Sequence, residues 1–339
     1  MTKRALKGIA CWHNVDKAMF ENEIAPLHEP AVLRGFVNDW PIINKANMGI
    51  EELWDYLRSM YVGGDVQFAR LPAEERGRFF YNKTLTALNF KREVGSLDGF
   101  LAEVLHNSSN ESADSLALQS ALIEEYFPKF IEENPFELFS SLSKPRIWLG
   151  NNSVVSAHHD DAENIACVVT GNRTFTLFPP EEIENLYVGP MDFTPAGAPV
   201  SLVDFARPDF EKFPKFKVAL NAALTADLAP GDAIYIPALW WHHVQATGGV
   251  NLLINYWAGG SIVGEQKPVP ADNLMMAMMT FRDLPQQDKN AWQAFFNYYV
   301  FSDQNDKHQH IPKAALGMLA PWDDQTKKAL KKWLIRQLK

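Results

Sequence analysis

The sequence predicts a mainly β chain with helical additions at both ends. Three observations carry that reading. Between residues 146 and 260, short runs of β-branched and aromatic residues alternate with Gly, Pro and Asn signals, the habit of an all-β sandwich or barrel. Residues 1–145 mix brief apolar runs with amphipathic segments, as α/β elements do. From residue 266 to 339, apolar side chains recur at helical spacing. The expected organisation is therefore one domain over 1–265, with its β core at 146–260, and a helical region at 266–339.

Taken in order, Ala31, Val32 and Leu33 followed by Arg34-Gly35-Phe36 read as a strand and a turn. Leu53, Trp54 and Leu57 have the spacing of a helix over 50–61, and 97–105 is a second helical segment. The polar run HNSSNESADS at 106–115 reads as a loop. Strands are expected at 146–149, 165–169, 174–178, 233–236 and 252–257, with Pro179-Pro180 ending one and Pro230-Gly231-Asp232 turning into another. Between them, 181–227 reads as an insertion, rich in Gly and Pro at 187–199, that loops over one rim. Beyond residue 260, Leu274, Met275, Met278, Met279 and Phe281 precede Trp292, Phe295, Phe296 and Tyr299, whose spacing is that of a buried helix face.

Composition limits the function classes. The net charge is -9, so nucleic acid is not an expected partner. The basic C-terminal stretch (Lys327, Lys328, Lys331, Lys332, Arg336) alternates with Leu330, Trp333, Leu334 and Leu338, as on the solvated face of an amphipathic helix. Two cysteines, Cys11 and Cys167, suggest no disulfide framework. The N-terminal MTKRALKGIACWHN has no apolar signal core, and no run of about eighteen apolar residues occurs. A cytoplasmic protein without a membrane span is the expectation.

The chemistry-bearing constellation is Ser156-Ala157-His158-His159-Asp160-Asp161 together with Trp240-Trp241-His242-His243. If 158–164 were a strand, side chains at i and i+2 would share a face, so His158, Asp160 and Asn164 would point together. A His from a distant strand folded beside them would complete two His and one carboxylate. That set leaves three metal positions open, as in the facial triad of non-haem Fe(II) oxygenases. His159 and Asp161 have the same spacing, and His243 competes with His242; the parity of Asn164 favours the even-numbered set. His13, His28, His106, His308 and His310 have no partner at ligand spacing.

Residues 154–178, VVSAHHDDAENIACVVTGNRTFTLF, with the Pro-Pro that follows, resemble the core of the JmjC/cupin-like hydroxylases. The runs PGDAIYIPALWWHHV and NLLINYW match the same family's distal segment, and EPAVLRGFVNDWP its opening strand. Among the members of that family, the asparaginyl hydroxylase acting on hypoxia-inducible factor is similar in these motifs. The resemblance implies a double-stranded β-helix (jelly-roll) core and an oxygenase using Fe(II), 2-oxoglutarate and O2, with succinate and CO2 as co-products. It implies His158, Asp160 and His242 as metal ligands and Arg173 as the residue holding the distal carboxylate of 2-oxoglutarate. Asn164 and Asn255 would line the co-substrate pocket, Trp257 would stand near the metal, and Gln119 would touch substrate. Where the compared enzyme has a Tyr and a Thr on 2-oxoglutarate, this chain has Ala117 and Val155.

The implied outcome is hydroxylation of a protein side chain or small molecule, or demethylation through hydroxylation of an N-methyl group. Two rivals stand beside it: a metal-dependent cupin enzyme that does not use 2-oxoglutarate, and a non-catalytic binding protein on the same fold. The aromatic C-terminal helices either pack back on the N-terminal region or, as the resemblance favours, build a homodimer from residues 270–339.

Overall fold

A computed structural model describes residues 6–110, 112–139, 143–260, 270–303 and 307–338. The chain divides into two compact units, Met1–Pro270 and Ala271–Lys339. The first is built on a 13-stranded sheet. Its strands are β1 (Lys7–Gly8), β2 (Ala10–His13), β3 (Ala31–Arg34), β4 (Asp65–Leu71), β5 (Arg78–Phe79), β6 (Lys91–Ser96), β7 (Ser115–Leu122), β8 (Arg146–Gly150), β9 (Ser153–His158), β10 (Glu163–Phe178), β11 (Leu224–Leu228), β12 (Ala233–Ile236) and β13 (Trp241–Ala258).

Two long strands make the jelly-roll. The first half of β10, from Asn164 to Cys167, pairs antiparallel with β12 and with the end of β13. Its second half, from Arg173 to Leu177, pairs with β11 and with the start of β13. Between the halves the ladder breaks at Val168, Thr170 and Asn172, and both strands pass from one sheet to the other. Gly171 sits at the break with φ +78°, where a Cβ would meet Asn251 Oδ1 at 2.3 Å. Only glycine fits that approach. The larger sheet runs β2-β3-β12-β10-β13-β8-β7-β4-β6, and the smaller is β1-β11-β10-β13-β9-β5.

Burial along β10 records the passage. Asn164 to Val169 are buried without interruption, because both faces are covered. Ala166 and Val168 pack inside the barrel, whereas Ile165, Cys167 and Val169 pack outward against the helical layer. From Asn172 to Leu177 burial alternates: Arg173, Phe175 and Leu177 are inside while Asn172 faces solvent. Burial of Cys167 pushes its thiol well up, so it is an inert core group.

The covering helices follow from their sequences. In Ile50–Met60, Leu53, Trp54, Leu57 and Met60 form one buried stripe, with Glu51 and Glu52 in the first turn and Arg58 in the last, as the helix dipole favours. In Leu97–Ser108, Ser96 caps the start by accepting the N–H of Gly99, and Phe100, Leu101 and Val104 are buried. This helix runs on to Ser108, so the loop expected at 106–115 is shorter than its polar composition suggests. Its end is polar yet regular: Asn107 is buried there and donates its side-chain amide to the Asp114 carbonyl at 3.1 Å. Asp232 ties the N-terminal part to the core, accepting Arg34 Nη1 at 2.6 Å and the N–H of Gly35 at 2.9 Å.

The insertion expected at 181–227 has structure of its own. It holds a helix (Phe216–Ala222) and β11, and it closes a satellite core of Phe178, Leu186, Val203, Phe216 and Trp241. Its Gly and Pro residues masked this aromatic spacing. The strand supposed at 158–164 is also corrected: β9 ends at His158, 159–162 turn, and β10 begins at Glu163.

In the second unit, helices span Pro270–Phe281, Gln286–Phe296 and Asp324–Gln337. None of its described residues is buried, including Trp292, Phe295 and Tyr299, from which the sequence pattern predicts a buried face.

Candidate metal centre and its cavity

His158 and His242 are direct cross-strand partners on β9 and β13, which brings their rings to 4.2 Å between centroids. Asp160 reaches them from the turn after β9, where its carbonyl accepts the N–H of Leu239 at 2.7 Å. The turn, rather than strand alternation, delivers the carboxylate. One ligand atom from each of His158, Asp160 and His242 lies within 4.8 Å of the others, and this is the group of that kind found among the described residues.

The hydrogen bonds around the centre leave the right atoms free. His158 Nδ1 lies 3.0 Å from the carbonyl of Ser156, and His242 Nδ1 lies 3.0 Å from that of Trp240. A carbonyl only accepts, so both Nδ1 atoms carry hydrogen and both Nε2 lone pairs face the centre. Asp160 Oδ2 accepts the indole N–H of Trp257 at 3.0 Å and stands 3.7 Å from His242 Nε2. Burial, with His242 adding to it, holds His158 down to about 4, so its imidazole is neutral and available to a metal at ordinary pH. Two imidazole nitrogens and a carboxylate oxygen suit a first-row divalent ion such as Fe(II).

The competing residues point elsewhere. His159 packs edge-on against Trp241, and His243 stacks on Phe205 at 4.6 Å. Burial, with the Arg78 guanidinium second, keeps His243 down to about 4. Asp161 is outside the cluster.

A cavity is lined by Ala117, Gln119, Trp148, Val155, Arg173 and Asn251, among others. Arg173 pairs across the ladder with Ala246, four residues or about 13 Å of strand from His242. Its guanidinium is buried, its Nε has no acceptor, and burial depresses its pKa to about 10. Among the described residues no carboxylate lies within ion-pair distance of it. A buried cation without a counter-ion fits an anionic ligand, such as the distal carboxylate of a 2-oxo diacid. Gln119 lines this cavity. Asn164 and Asn255 face each other inside the barrel, Asn255 Nδ2 donating to Asn164 Oδ1 at 3.3 Å.

Sequence reasoning missed three residues here. Trp148 donates its indole N–H to Asn255 Oδ1 at 2.9 Å, fixing that amide. Arg146 places its guanidinium 5.8 Å from the Trp257 ring. Asn251 leaves a buried Oδ1 without a partner. Period-2 counting back from Trp257 and Asn255 on β13, and along β8, puts all three on the inner face.

Residues 17–258 match the family model for the cupin-like domain. The JmjC domain-containing protein F of Dictyostelium discoideum is 23% identical over 281 residues, 71% of this chain and 59% of that protein. HSPB1-associated protein 1 of Homo sapiens is 24% identical over 258 residues, 69% of this chain and 48% of that protein. The tRNA wybutosine-synthesizing protein 5 of Danio rerio is 25% identical over 298 residues, 80% of this chain and 83% of that protein. The chain thus spans only 59% and 48% of the length of the first two relatives.

Proposed function

The chain belongs to the JmjC/cupin-like family, and from that membership and the site's geometry we propose that it is an Fe(II)- and 2-oxoglutarate-dependent dioxygenase. It hydroxylates a C–H bond of a protein side chain or small molecule, or demethylates an N-methyl group by the same step. The observation that carries this reading is an open His158/Asp160/His242 cluster whose His242 strand is paired with that of the buried Arg173, a residue that lines a cavity and whose Nε has no acceptor. Fe(II) with 2-oxoglutarate and dioxygen supplies the oxidising power, and succinate and CO2 leave as co-products.

The protein's own residues do the rest. The Ser156 and Trp240 carbonyls lock the tautomers of His158 and His242. Trp257 holds one oxygen of Asp160, and Trp148 holds the Asn255–Asn164 pair against which the co-substrate lies. Arg173 receives the distal carboxylate, and the barrel wall excludes water, so that one C–H bond is aimed at the metal. Although one relative is named for synthesis of a tRNA base, the net charge of -9 favours a protein or small-molecule substrate over a polyanion. Among the described residues no helix is long and apolar enough to cross a membrane.

Anaerobic titration of Fe(II) and then 2-oxoglutarate tests the reading. A visible metal-to-ligand charge-transfer band appearing only with both present is the expected result. Metal binding without the band would favour a cupin enzyme that does not use 2-oxoglutarate. Trp257→Phe keeps an aromatic ring but removes the indole N–H, and it should weaken Fe(II) or Mn(II) binding by roughly 10- to 100-fold. An unchanged metal affinity would mean the hydrogen bond to Asp160 is incidental.

We propose further that the second unit forms a homodimer. It exposes Leu274, Met275, Met279, Trp292, Phe295 and Phe301. Apolar helices without a buried residue of their own need a covering surface. Light scattering at micromolar concentration should give about twice the chain mass of 38.3 kDa, and Phe295→Glu with Phe296→Glu should return it to one. A wild-type mass of one chain rules the dimer out.

A further inference from the structure

Resting on the dioxygenase reading, we propose that Arg146 is the residue that selects the primary substrate, by binding a carboxylate that the substrate carries close to its reacting C–H bond. Arg146 opens β8 and pairs with Asn255. It lies on the same face as Trp148, two residues on, whose indole is bonded inside the barrel. Its guanidinium stands over the ring of Trp257, and the N–H of that ring is bonded to Asp160. One indole therefore separates a cation from the metal-binding carboxylate.

The guanidinium is held but not satisfied. Its Nη1 donates to the carbonyl of Ser120 at 2.9 Å and to Ser120 Oγ at 3.3 Å. Ser120 has φ +55° and sits where the β7–β8 register slips between Leu118 and Ala121. A non-glycine residue held in that region next to a bulge is strained backbone of the kind found at binding sites. The bonds fix the plane of the Arg146 fork and occupy Nη1 only. Its other edge, Nε and Nη2, has no acceptor and no carboxylate within ion-pair distance among the described residues. That edge is the one that takes a carboxylate through two parallel hydrogen bonds.

Charge supports the assignment. A divalent metal and Arg173 carry three positive charges. Asp160 and a dianionic 2-oxo diacid carry three negative ones, so the loaded inner site is neutral without Arg146. Among the described residues the Arg146 cation has no carboxylate in ion-pair distance to compensate it, in a chain whose net charge is -9. A partly buried cation in that position is stabilised by an anion arriving with the substrate. A single carboxylate matches one fork, whereas a nucleic-acid backbone would meet the repulsion of the whole acidic chain.

The test uses the full chain loaded with Mn(II) and N-oxalylglycine, which occupies the diacid position without reacting. Fluorine-19 relaxation then reports which of two isosteric probes, 4-fluorobenzoate or 4-fluorobenzamide, comes near the metal. The expected result is paramagnetic relaxation of the benzoate, with about tenfold tighter binding than the amide, the size of one charge-assisted pair. Arg146→Gln should erase that preference, and Arg146→Lys should keep part of it. No benzoate relaxation, equal binding of the two probes, or a preference surviving in R146Q would overturn the proposal. So would relaxation by 4-fluorophenyl phosphate alone. If R146Q does not fold, the wild-type comparison of the two probes decides. Loss of Mn(II) or N-oxalylglycine binding in the wild-type protein would instead sink the dioxygenase reading itself.

Discussion

Replacing His158, Asp160 or His242 with alanine is expected to abolish 2-oxoglutarate turnover and to weaken divalent-metal binding by more than about a hundredfold. The lower bound follows because losing even a residue that merely orients a metal ligand costs roughly 10- to 100-fold. The fold should survive each change. The three side chains are not members of the apolar clusters, so the cores of Phe175, Leu177 and Ile234 inside the barrel and of Leu53, Trp54 and Tyr235 outside it are untouched. His159→Ala and His243→Ala make the informative controls. They remove contacts with Trp241 and Phe205, so they should cost stability but leave metal affinity nearly intact. Metal titration followed by calorimetry separates the two effects. If His159 or His243 proves essential to metal binding while an even-numbered ligand is dispensable, the assignment of the centre is wrong.

That contrast shows how the sequence carried the site. His158 and Asp160 were legible as a pair from spacing, yet the physical premise of one continuous strand does not hold. The chain turns at 159–162, and the carbonyl of Asp160 is pinned by the N–H of Leu239 from the loop before β13. A turn can hold i and i+2 on one side as a strand does, so the structure brings together the residues the parity argument singles out, through a different element. Asn164 and Asn255 do face each other inside the barrel, because both lie on regular strand where period 2 applies.

What stayed hidden depended on partners far along the chain. Nothing local to Trp148 announces that its indole N–H ends on Asn255, and nothing near Arg146 announces Trp257. The β core at 146–260 was plain from its β-branched runs and turn residues. The bend at Gly171 was not, since it depends on the side chain of Asn251 on the neighbouring strand. In the 181–227 segment, Gly and Pro overrode the aromatic spacing, and β11 was lost in what read as loop. The C-terminal helices were recognised from periodicity, which reports an apolar face but not what covers it.

Arg173→Met is expected to move binding and stability in opposite directions. In the wild-type protein the guanidinium is buried, its Nε has no acceptor, and burial depresses its pKa to about 10. The unfolded chain therefore binds the proton more readily than the folded one. The penalty is fully present below pH 10 and lifts only as the pH rises through that value. Methionine fills much the same space without a charge, so the ligand-free variant should melt roughly 2–4 °C higher. The 2-oxoglutarate carboxylate, by contrast, loses a charge-assisted partner worth about 1.5–3 kcal/mol, which raises its apparent Michaelis constant by roughly 10- to 150-fold. Arg173→Lys should recover part of the affinity, because the charge remains while the planar fork is lost. An unchanged 2-oxoglutarate dependence in the Met variant would remove Arg173 from the co-substrate site. A lower melting temperature in the ligand-free Met variant would mean that the guanidinium already has a stabilising partner in the folded chain. Were both parameters to move as expected, a residue that destabilises the empty barrel would be the one that anchors its co-substrate.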